Sequence, residues 1–574
     1  MRKIDNADIA KLFNRYADLL EITGQNPFRI RAYRNAALSL SSMSQSIASL
    51  YQRGMNLQEL PYIGKDLSRK IVTILTTGEF SELKTLSKKV PYFLSELMEL
   101  EGLGPKRVRI LYEQLGLQCM ADLQKMIDAG ELKKLKGFGT ALIAKIQKGL
   151  IDHAQHIKRF KLTEATPVAN RLINYLNKIP GIEHVEVAGS YRRKKETVGD
   201  LDILAIASNK VPVGKYLTQY EEVQRVLVTG RTRNSVQLIS GFQIDLRVVP
   251  SKSYGAALLY FTGSKAHNIK LRQIAHNKAL KINEYGLFKN NSKLAGKTEP
   301  EMYNKLGLPY IEPELREDRG EINAATLHQL PHLISLQDIH GDLHVHTRAS
   351  DGLHSLEEIA LAAQNKGYEY IAITDHSKNL AIAKGLDEKK LMKQFEEIDE
   401  LNAKLKKITL LKSAEIDILE DGALDFSDSI LQQLDVTVCS IHSHFKLSLK
   451  KQTERIIRAM DNPYFNILGH PTGRLINRRE PYLIDLEKIM QAAKERGCFF
   501  ELNGQPARLD LDNIACKMAK EMGIKLALSS DAHQAGQLDF MESAVYQARR
   551  GWLEEKDVLN CLRLSQLRKL LKRK

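Results

Sequence analysis

The 574-residue sequence predicts a multidomain chain in three parts: a helical front, an α+β middle, and a barrel-like run of seven strand–helix units. Three observations carry this. Short helical patterns in the first 150 residues are broken by three similar turns, Leu60-Pro-Tyr-Ile-Gly64-Lys65, Leu100-Glu-Gly102-Leu-Gly104-Pro-Lys106 and Leu135-Lys-Gly137-Phe-Gly139-Thr. Strand-like runs then appear at 184–188, 202–206 and 242–249, with helical segments between and after them. Beyond a charged, proline-containing stretch at 309–338, short apolar runs at 342–345, 370–374, 408–411, 436–441, 465–468, 498–502 and 525–528 alternate with helices, as in a parallel barrel.

Composition narrows the function classes. The net charge of +16 lies wholly in residues 1–338, with 50 Lys+Arg against 34 Asp+Glu; residues 339–574 hold 35 of each. Nine of the sixteen histidines fall in the neutral part. One part is therefore suited to a polyanion and the other to metal. Ile9, Leu12, Phe13, Tyr16, Leu19 and Leu20 recur at helical spacing, which marks an amphipathic helix and not a signal peptide. No apolar run approaches the roughly 18 residues of a membrane span. Five scattered cysteines without a C-x-x-C pair fit reduced thiols of a cytoplasmic protein and argue against a thiolate zinc site.

In each glycine turn the backbone can bend tightly, and the next helix presents its N–H groups to one phosphate. A single copy is equally an unliganded αα-hairpin; three copies in the basic part favour DNA-backbone contact. Gly64, Lys65, Gly102, Gly104, Lys106, Gly137 and Gly139 are the expected contacts, and the turns resemble helix-hairpin-helix motifs.

Downstream, Gly189-Ser190-Tyr-Arg-Arg193 precedes Gly199-Asp200-Leu-Asp202, and Asp245 lies on a later strand. Asp200 and Asp202 are two apart on a strand and share a face. Three converging carboxylates make sense when divalent cations neutralise them, as in nucleotidyl transfer. An exposed acidic strand is the competing explanation for a lone D-x-D, but the upstream G-S-x-x-R weighs against it. Together with Ile244-Asp245-Leu-Arg247, Tyr260-Phe261-Thr-Gly263-Ser, Asn268, Arg272 and Ile282-Asn-Glu284-Tyr285, the order resembles family X DNA polymerases of the polymerase beta type over residues 1–315.

The resemblance implies a lyase-like helical domain at 1–85, a helix-hairpin-helix (fingers) domain at 86–150, a nucleotidyltransferase palm at 151–250 and a nucleotide-selecting thumb at 251–315. Asp200, Asp202 and Asp245 would ligate Mg²⁺ or Mn²⁺, with Asp245 taking the primer hydroxyl's proton. Gly189, Ser190, Arg193 and Gly199 would bind the triphosphate. Tyr260 and Phe261 would pack at the sugar, Gly263 would belong to the same nucleotide-binding set, and Asn268 and Arg272 would face the new base pair. Lys70 matches the Schiff-base lysine and Tyr33 the 5′-phosphate pocket. Three departures stand out: Tyr62 replaces the first glycine of a hairpin, Gln243 replaces an arginine, and Lys265 replaces an acid beside the incoming base.

The last part carries ligand types at successive strand ends: His344 and His346, Asp351, His376, Glu415, His442, His470, then Asp531 and His533. In a parallel barrel these ends form one rim, where active sites gather. Nine N/O donors without thiolate favour two or three ions such as Mn²⁺, Zn²⁺ or Fe²⁺. A buried structural histidine explains any one of them, but not the series. Residues 339–574, after a linker at 316–338, resemble the PHP (polymerase and histidinol phosphatase) domain, a distorted TIM-like (β/α)7 barrel. The fusion implies a bacterial gap-filling repair polymerase with 3′–5′ exonuclease action, and allows abasic-site cleavage or 3′-phosphate removal. Its expected partners are gapped or nicked double-stranded DNA and dNTPs. It is expected to be a cytoplasmic, nucleoid-associated monomer with no membrane contact. A small-phosphomonoester phosphatase and a non-catalytic DNA-end scaffold are the competing classes. The first needs neither the basic front nor the hairpins, and the second needs none of the ligands.

Overall fold

The computed structural model describes residues 6–43, 45–91, 93–98, 103–117, 120–140, 142–147, 150, 159–208 and 211–572. They form two compact units, Met1–Arg159 and Phe160–Lys574.

The first unit is helical. Ile9, Phe13, Tyr16, Leu19 and Leu20 are buried on the helix Asn6–Ile22, which packs on Pro27–Ser42, as the 3.6-residue spacing requires. Ile63, Leu103 and Phe138, the apolar residues beside the turn glycines, are all buried and join one core. Each hairpin is thus anchored by its apolar residue while the flanking backbone stays outside.

The second unit begins with the α+β region expected to be the palm. Strands β1 (Ile182–Val187), β2 (Asp200–Ala207), β3 (Val223–Val228), β4 (Arg233–Leu238) and β5 (Gln243–Val249) form one sheet in the order β1-β2-β5-β4-β3. Strands β2 and β5 run parallel, and the other pairs are antiparallel. Alternation sets the faces: Ile244, Leu246 and Val248 are buried, while Gln243, Asp245 and Arg247 lie half-buried on the other side. Strands β3 and β4 extend the three expected from sequence; β3 is largely exposed and carries no alternation to read.

The thumb joins helices Tyr254–Thr262, Lys265–Asn277 and Glu299–Lys305 to a three-stranded antiparallel sheet spanning 281–295. The connecting segment 316–338 is itself packed. Arg316 is fully buried, and Glu321 accepts from the His267 ring at 2.7 Å. Arg316, Glu317 and Glu321 find partners in Glu299, Arg193 and His267, which composition alone does not reveal.

The barrel strands are β6 (Gly341–Val345), β7 (Tyr370–Ile373), β8 (Thr409–Asp417), β9 (Val436–Ser440), β10 (Ile467–Leu468), β11 (Phe499–Asn503) and β12 (Leu526–Ser529), all parallel and in sequential order. A bridge between Val345 and Ala532 brings the first and last together. All seven strands contribute to one apolar cluster with Leu567 and Leu571 of the C-terminal helix Leu564–Leu571. Among the described residues no helix is long and apolar enough to cross a membrane.

Candidate active sites

In the palm, the parallel register of β2 and β5 sets Asp202 directly opposite Asp245, with Asp200 two residues away on the same face. Burial, then the charges of Asp200 and Asp245, push the Asp202 carboxyl up to about 7, against the pull of Arg193 and Arg247. A cluster so strained by its own negative charge is a fitting host for divalent cations. Asp245 is aimed by two neutral donors, the Ser235 hydroxyl and Gln243 Nε2 at 2.6 Å. Gln243 therefore takes the place of an arginine with a hydrogen bond that adds no charge.

Gly189 opens the short helix Gly189–Arg192 at φ +62°, and a Cβ there would lie 2.2 Å from Asp202 Oδ2. Only glycine lets the turn approach the carboxylates so closely. Ser190 lies half-buried in the same turn, and Gly199 immediately precedes β2. Arg193 donates from Nη1 to the Thr262 carbonyl at 2.5 Å and from Nε to Glu317 at 3.1 Å. Gly263 ends the thumb helix at φ +69°, beside the Arg193 guanidinium. Tyr260 and Phe261 meet edge to face at 5.1 Å, and Tyr260 is exposed. Asn268 donates to the Tyr260 carbonyl at 2.7 Å, and both line one shallow groove with Arg272.

The barrel brings its expected ligands to one rim. Three groups have donor atoms within 4.8 Å of one another: His346, Asp351, His376 and His533; His344, His346 and Asp531; and His376, Glu415 and His442. His470 completes the set through Nε2, 2.8 Å from Glu415 Oε1. Glu415 lies within β8, not beyond it as expected, because that strand runs on to Asp417. The donor set fits metal: Nδ1 of His346 and of His470 are buried without a hydrogen-bond partner, and Nε2 of His344 and His346 face each other at 3.1 Å. Burial opposes the charged form of His376 and His442, but Glu415 overrides it, pushing them up to about 10 and about 9. The carboxylates here evidently demand cations. The rim encloses a cavity of about 230 Å³, into which Arg508 brings a fixed positive charge.

Residues 4–80 match a helix-hairpin-helix domain family, 94–152 a SAM-like helix-hairpin-helix tandem, 257–317 the DNA polymerase beta thumb, and 342–505 the PHP domain. A DNA polymerase/3′-5′ exonuclease PolX of Bacillus subtilis (strain 168) is 37% identical over 570 residues, 99% of either chain. The chain belongs to the bacterial family X DNA polymerases. Other relatives match in part. A probable phosphatase of Thermoanaerobacter sp. (strain X514) is 34% identical over 38% of this chain and 89% of its own. DNA polymerase lambda of Rattus norvegicus is 26% identical over 50% of this chain and 52% of its own.

Sequence reasoning missed the residues that hold the ligands of this family X chain. Glu501 accepts from His344 Nδ1 at 2.7 Å and also from the Ser529 hydroxyl and the His470 backbone N–H. Asp417 holds His442 Nδ1. Asp375 accepts from Thr347, Ser350 and Gln394, steadying the loop that carries Asp351. Such supporting partners fix ring orientation and tautomer. Only Glu501 carried a signal in the sequence, as an acid inside the apolar run 498–502; Asp375 and Asp417 lie beyond the runs 370–374 and 408–411.

At the hairpins, Gly64 and Gly104 cap the helices Lys65–Thr77 and Pro105–Leu115, and a Cβ at Gly64, Gly104, Gly137 or Gly139 would meet nothing within 4 Å. Lys65 and Lys106 are exposed beside them. Gly102 lies outside the described residues. Tyr62 holds φ +65° where the third hairpin has Gly137 at φ +91°.

Tyr33, expected at a phosphate pocket, is only 2% exposed, inside an aromatic cluster with Phe13, Tyr16 and Phe80. Its ring faces Lys70 Nζ at 5.6 Å. Burial alone would lower the Lys70 pKa, but its hydrogen bonds, Asp66 foremost and Glu82 at 3.1 Å among them, raise it well above the ordinary lysine value. A Schiff-base nucleophile needs the neutral amine. Borohydride trapping of a 5′-deoxyribose-phosphate end should accordingly be weak at neutral pH and rise steadily to beyond about pH 9. A rate that plateaus near pH 7 would contradict the buried ammonium.

Proposed function

We propose that this chain is a DNA-directed DNA polymerase that fills short gaps during repair, and that its barrel removes or unblocks 3′ ends as a metal-dependent 3′–5′ exonuclease. The observation that carries the proposal is the register of Asp202 against Asp245 in a chain alignable end to end with a polymerase/exonuclease. When bound, divalent cations supply the charge neutralisation and the activated hydroxyl or water that phosphoryl transfer and phosphoester hydrolysis need: Mg²⁺ or Mn²⁺ in the palm, and two or three Mn²⁺, Zn²⁺ or Fe²⁺ ions in the barrel.

The chain's own groups then divide the work. Asp245, aimed by Ser235 and Gln243, accepts the proton of the primer 3′ hydroxyl. The Gly189–Ser190 turn and Arg193 hold the triphosphate, Arg193 through charge-assisted hydrogen bonds. Tyr260 and Phe261 pack under the sugar, and Asn268 and Arg272 border the nascent pair. The open glycine turns and Lys65 and Lys106 track the duplex backbone of gapped or nicked DNA. In the barrel, Arg508 pairs with the scissile phosphate and Glu501 keeps His344 turned toward the cavity. The likeness of the barrel to a probable phosphatase favours 3′-phosphate removal as a further reaction of the same centre. A monomer working beside the nucleoid fits this reading.

The test uses one 5′-labelled primer on a one-nucleotide gap. With Mg²⁺ and dNTPs the primer should lengthen; with Mn²⁺ and no dNTP it should shorten from its 3′ end; chelation should stop both. A protein that does neither after metal reconstitution is not the enzyme proposed.

A further inference from the structure

Three residues at and after the end of the triphosphate-binding turn, Arg193, Lys194 and Glu196, touch the barrel. Arg550, the last residue of the barrel helix Met541–Arg550, donates from Nη1 to the backbone carbonyl of Arg193 at 2.7 Å. The same nitrogen lies 3.3 Å from Glu317 Oε1, the oxygen that Arg193 Nε also reaches at 3.1 Å. Arg550 is 5% exposed, so these contacts are shielded from water. One residue on, Lys194 stands at φ +53° with its Nζ 4.1 Å from the centre of the Tyr546 ring, on the same barrel helix. Glu196 pairs with the barrel's Arg474 at 2.7 Å. A non-glycine residue in the left-handed region is strained and persists where its surroundings hold it.

The geometry at Glu317 is that of a shared clamp. Burial would raise its carboxyl, but Arg550 and Arg193 together draw it down to about 2. Arg193 is thus fixed at its Nε by Glu317, at its Nη1 by the Thr262 carbonyl, and at its backbone by Arg550. Of these three holds, the last comes directly from the barrel, and the first is shared with it.

We propose that Arg550 is a positioning residue for nucleotide binding: the phosphoesterase barrel, through Arg550 and Glu317, sets the Arg193 guanidinium for the dNTP triphosphate. This rests on Arg193 being a triphosphate contact. The barrel is then a structural part of the polymerase site, independently of its own chemistry.

The experiment measures single-nucleotide gap filling and 3′ shortening by the intact chain carrying Arg550→Ala, Arg550→Lys or Arg549→Ala. Arg549 is adjacent and pairs with Glu314 at 2.7 Å and the Ile334 carbonyl at 3.0 Å, but does not touch Arg193. Arg550→Ala should raise the KM for dNTP about ten- to hundredfold, since misplacing a binding group by about 1 Å has effects of that order. Its kcat and its 3′ shortening should stay near wild type. Arg550→Lys, which keeps one donor, should recover part of the KM, and Arg549→Ala should leave it unchanged. An unchanged KM in Arg550→Ala, or an equal rise in Arg549→Ala, would overturn the proposal, as would parallel loss of both activities with a lowered melting temperature in Arg550→Ala and Arg550→Lys. If Arg193→Ala itself leaves the dNTP KM unaltered, it is the triphosphate assignment that fails, and not the clamp.

Discussion

Asp202→Ala abolishes gap filling, lowering incorporation by about a thousandfold or more, and leaves 3′ shortening at the wild-type rate. The carboxylate sits opposite Asp245 and beside Asp200, and it also lies against the Gly189 turn. Alanine removes a charge and leaves a gap, so Asp202→Asn serves as the control of unchanged shape. It should be equally inactive, because an amide cannot ligate as an anion. Glu415→Gln should produce the reverse phenotype. Its carboxylate approaches His344 at 3.4 Å, His346 at 3.6 Å, His376 at 3.0 Å, His442 at 3.2 Å and His470 at 2.8 Å, so one change disturbs five of the rim's six histidines. Lengthening and shortening of the same labelled primer give both answers at once. If either variant loses both activities while remaining folded, the two centres are not chemically separate.

Glu299→Ala has the largest expected effect on stability. Glu299 is 4% exposed and accepts from Arg192 at 2.8 and 3.0 Å, from Arg316 at 2.6 Å and from Tyr310 at 3.2 Å. Arg192 belongs to the palm and Arg316 to the segment leaving the thumb, so three parts of the fold meet on one carboxylate. Removing it strands a fully buried guanidinium, which costs about 3–5 kcal/mol. The melting temperature of the second unit should fall by roughly 3–6 °C. Burial would raise the Glu299 carboxyl, but Arg316 and Arg192 draw it down to about 2. Its contribution is therefore present above the ordinary glutamate value near 4.5 and is lost as pH falls toward 2. Thermal melts of wild type and Glu299→Gln should differ at neutral pH and converge on acidification. A constant difference would mean that the pair is not what stabilises this junction.

The barrel was legible because its grammar is local: each apolar run is short, and its ligands lie in or within a few residues of the run. The palm carboxylates were legible for the same reason, since a two-residue spacing on a strand fixes a shared face. Strand β3 was not, because its exposed residues impose no alternation. Nor were Glu501 and Lys70's partners. His344 and Glu501 are 157 residues apart, and they meet only when the barrel nearly closes. The buried Tyr33 misled because an aromatic at a helical position looks alike whether it faces solvent or core. Segment 316–338 misled because a charge-rich stretch resembles a solvated linker until its partners are known.

The placement of Tyr546 and Trp552 has a practical consequence. Tyr546 packs against the apolar core of the palm and Trp552 against that of the thumb, though both belong to the barrel. A barrel excised from residue 339 onward would present both rings to water, a greasy spot inviting self-association. A polymerase fragment ending before it would lose the same cover. Expression of either part alone calls for polar replacements at these two aromatics, and the solubility gained would report how much surface the two halves normally hide from each other.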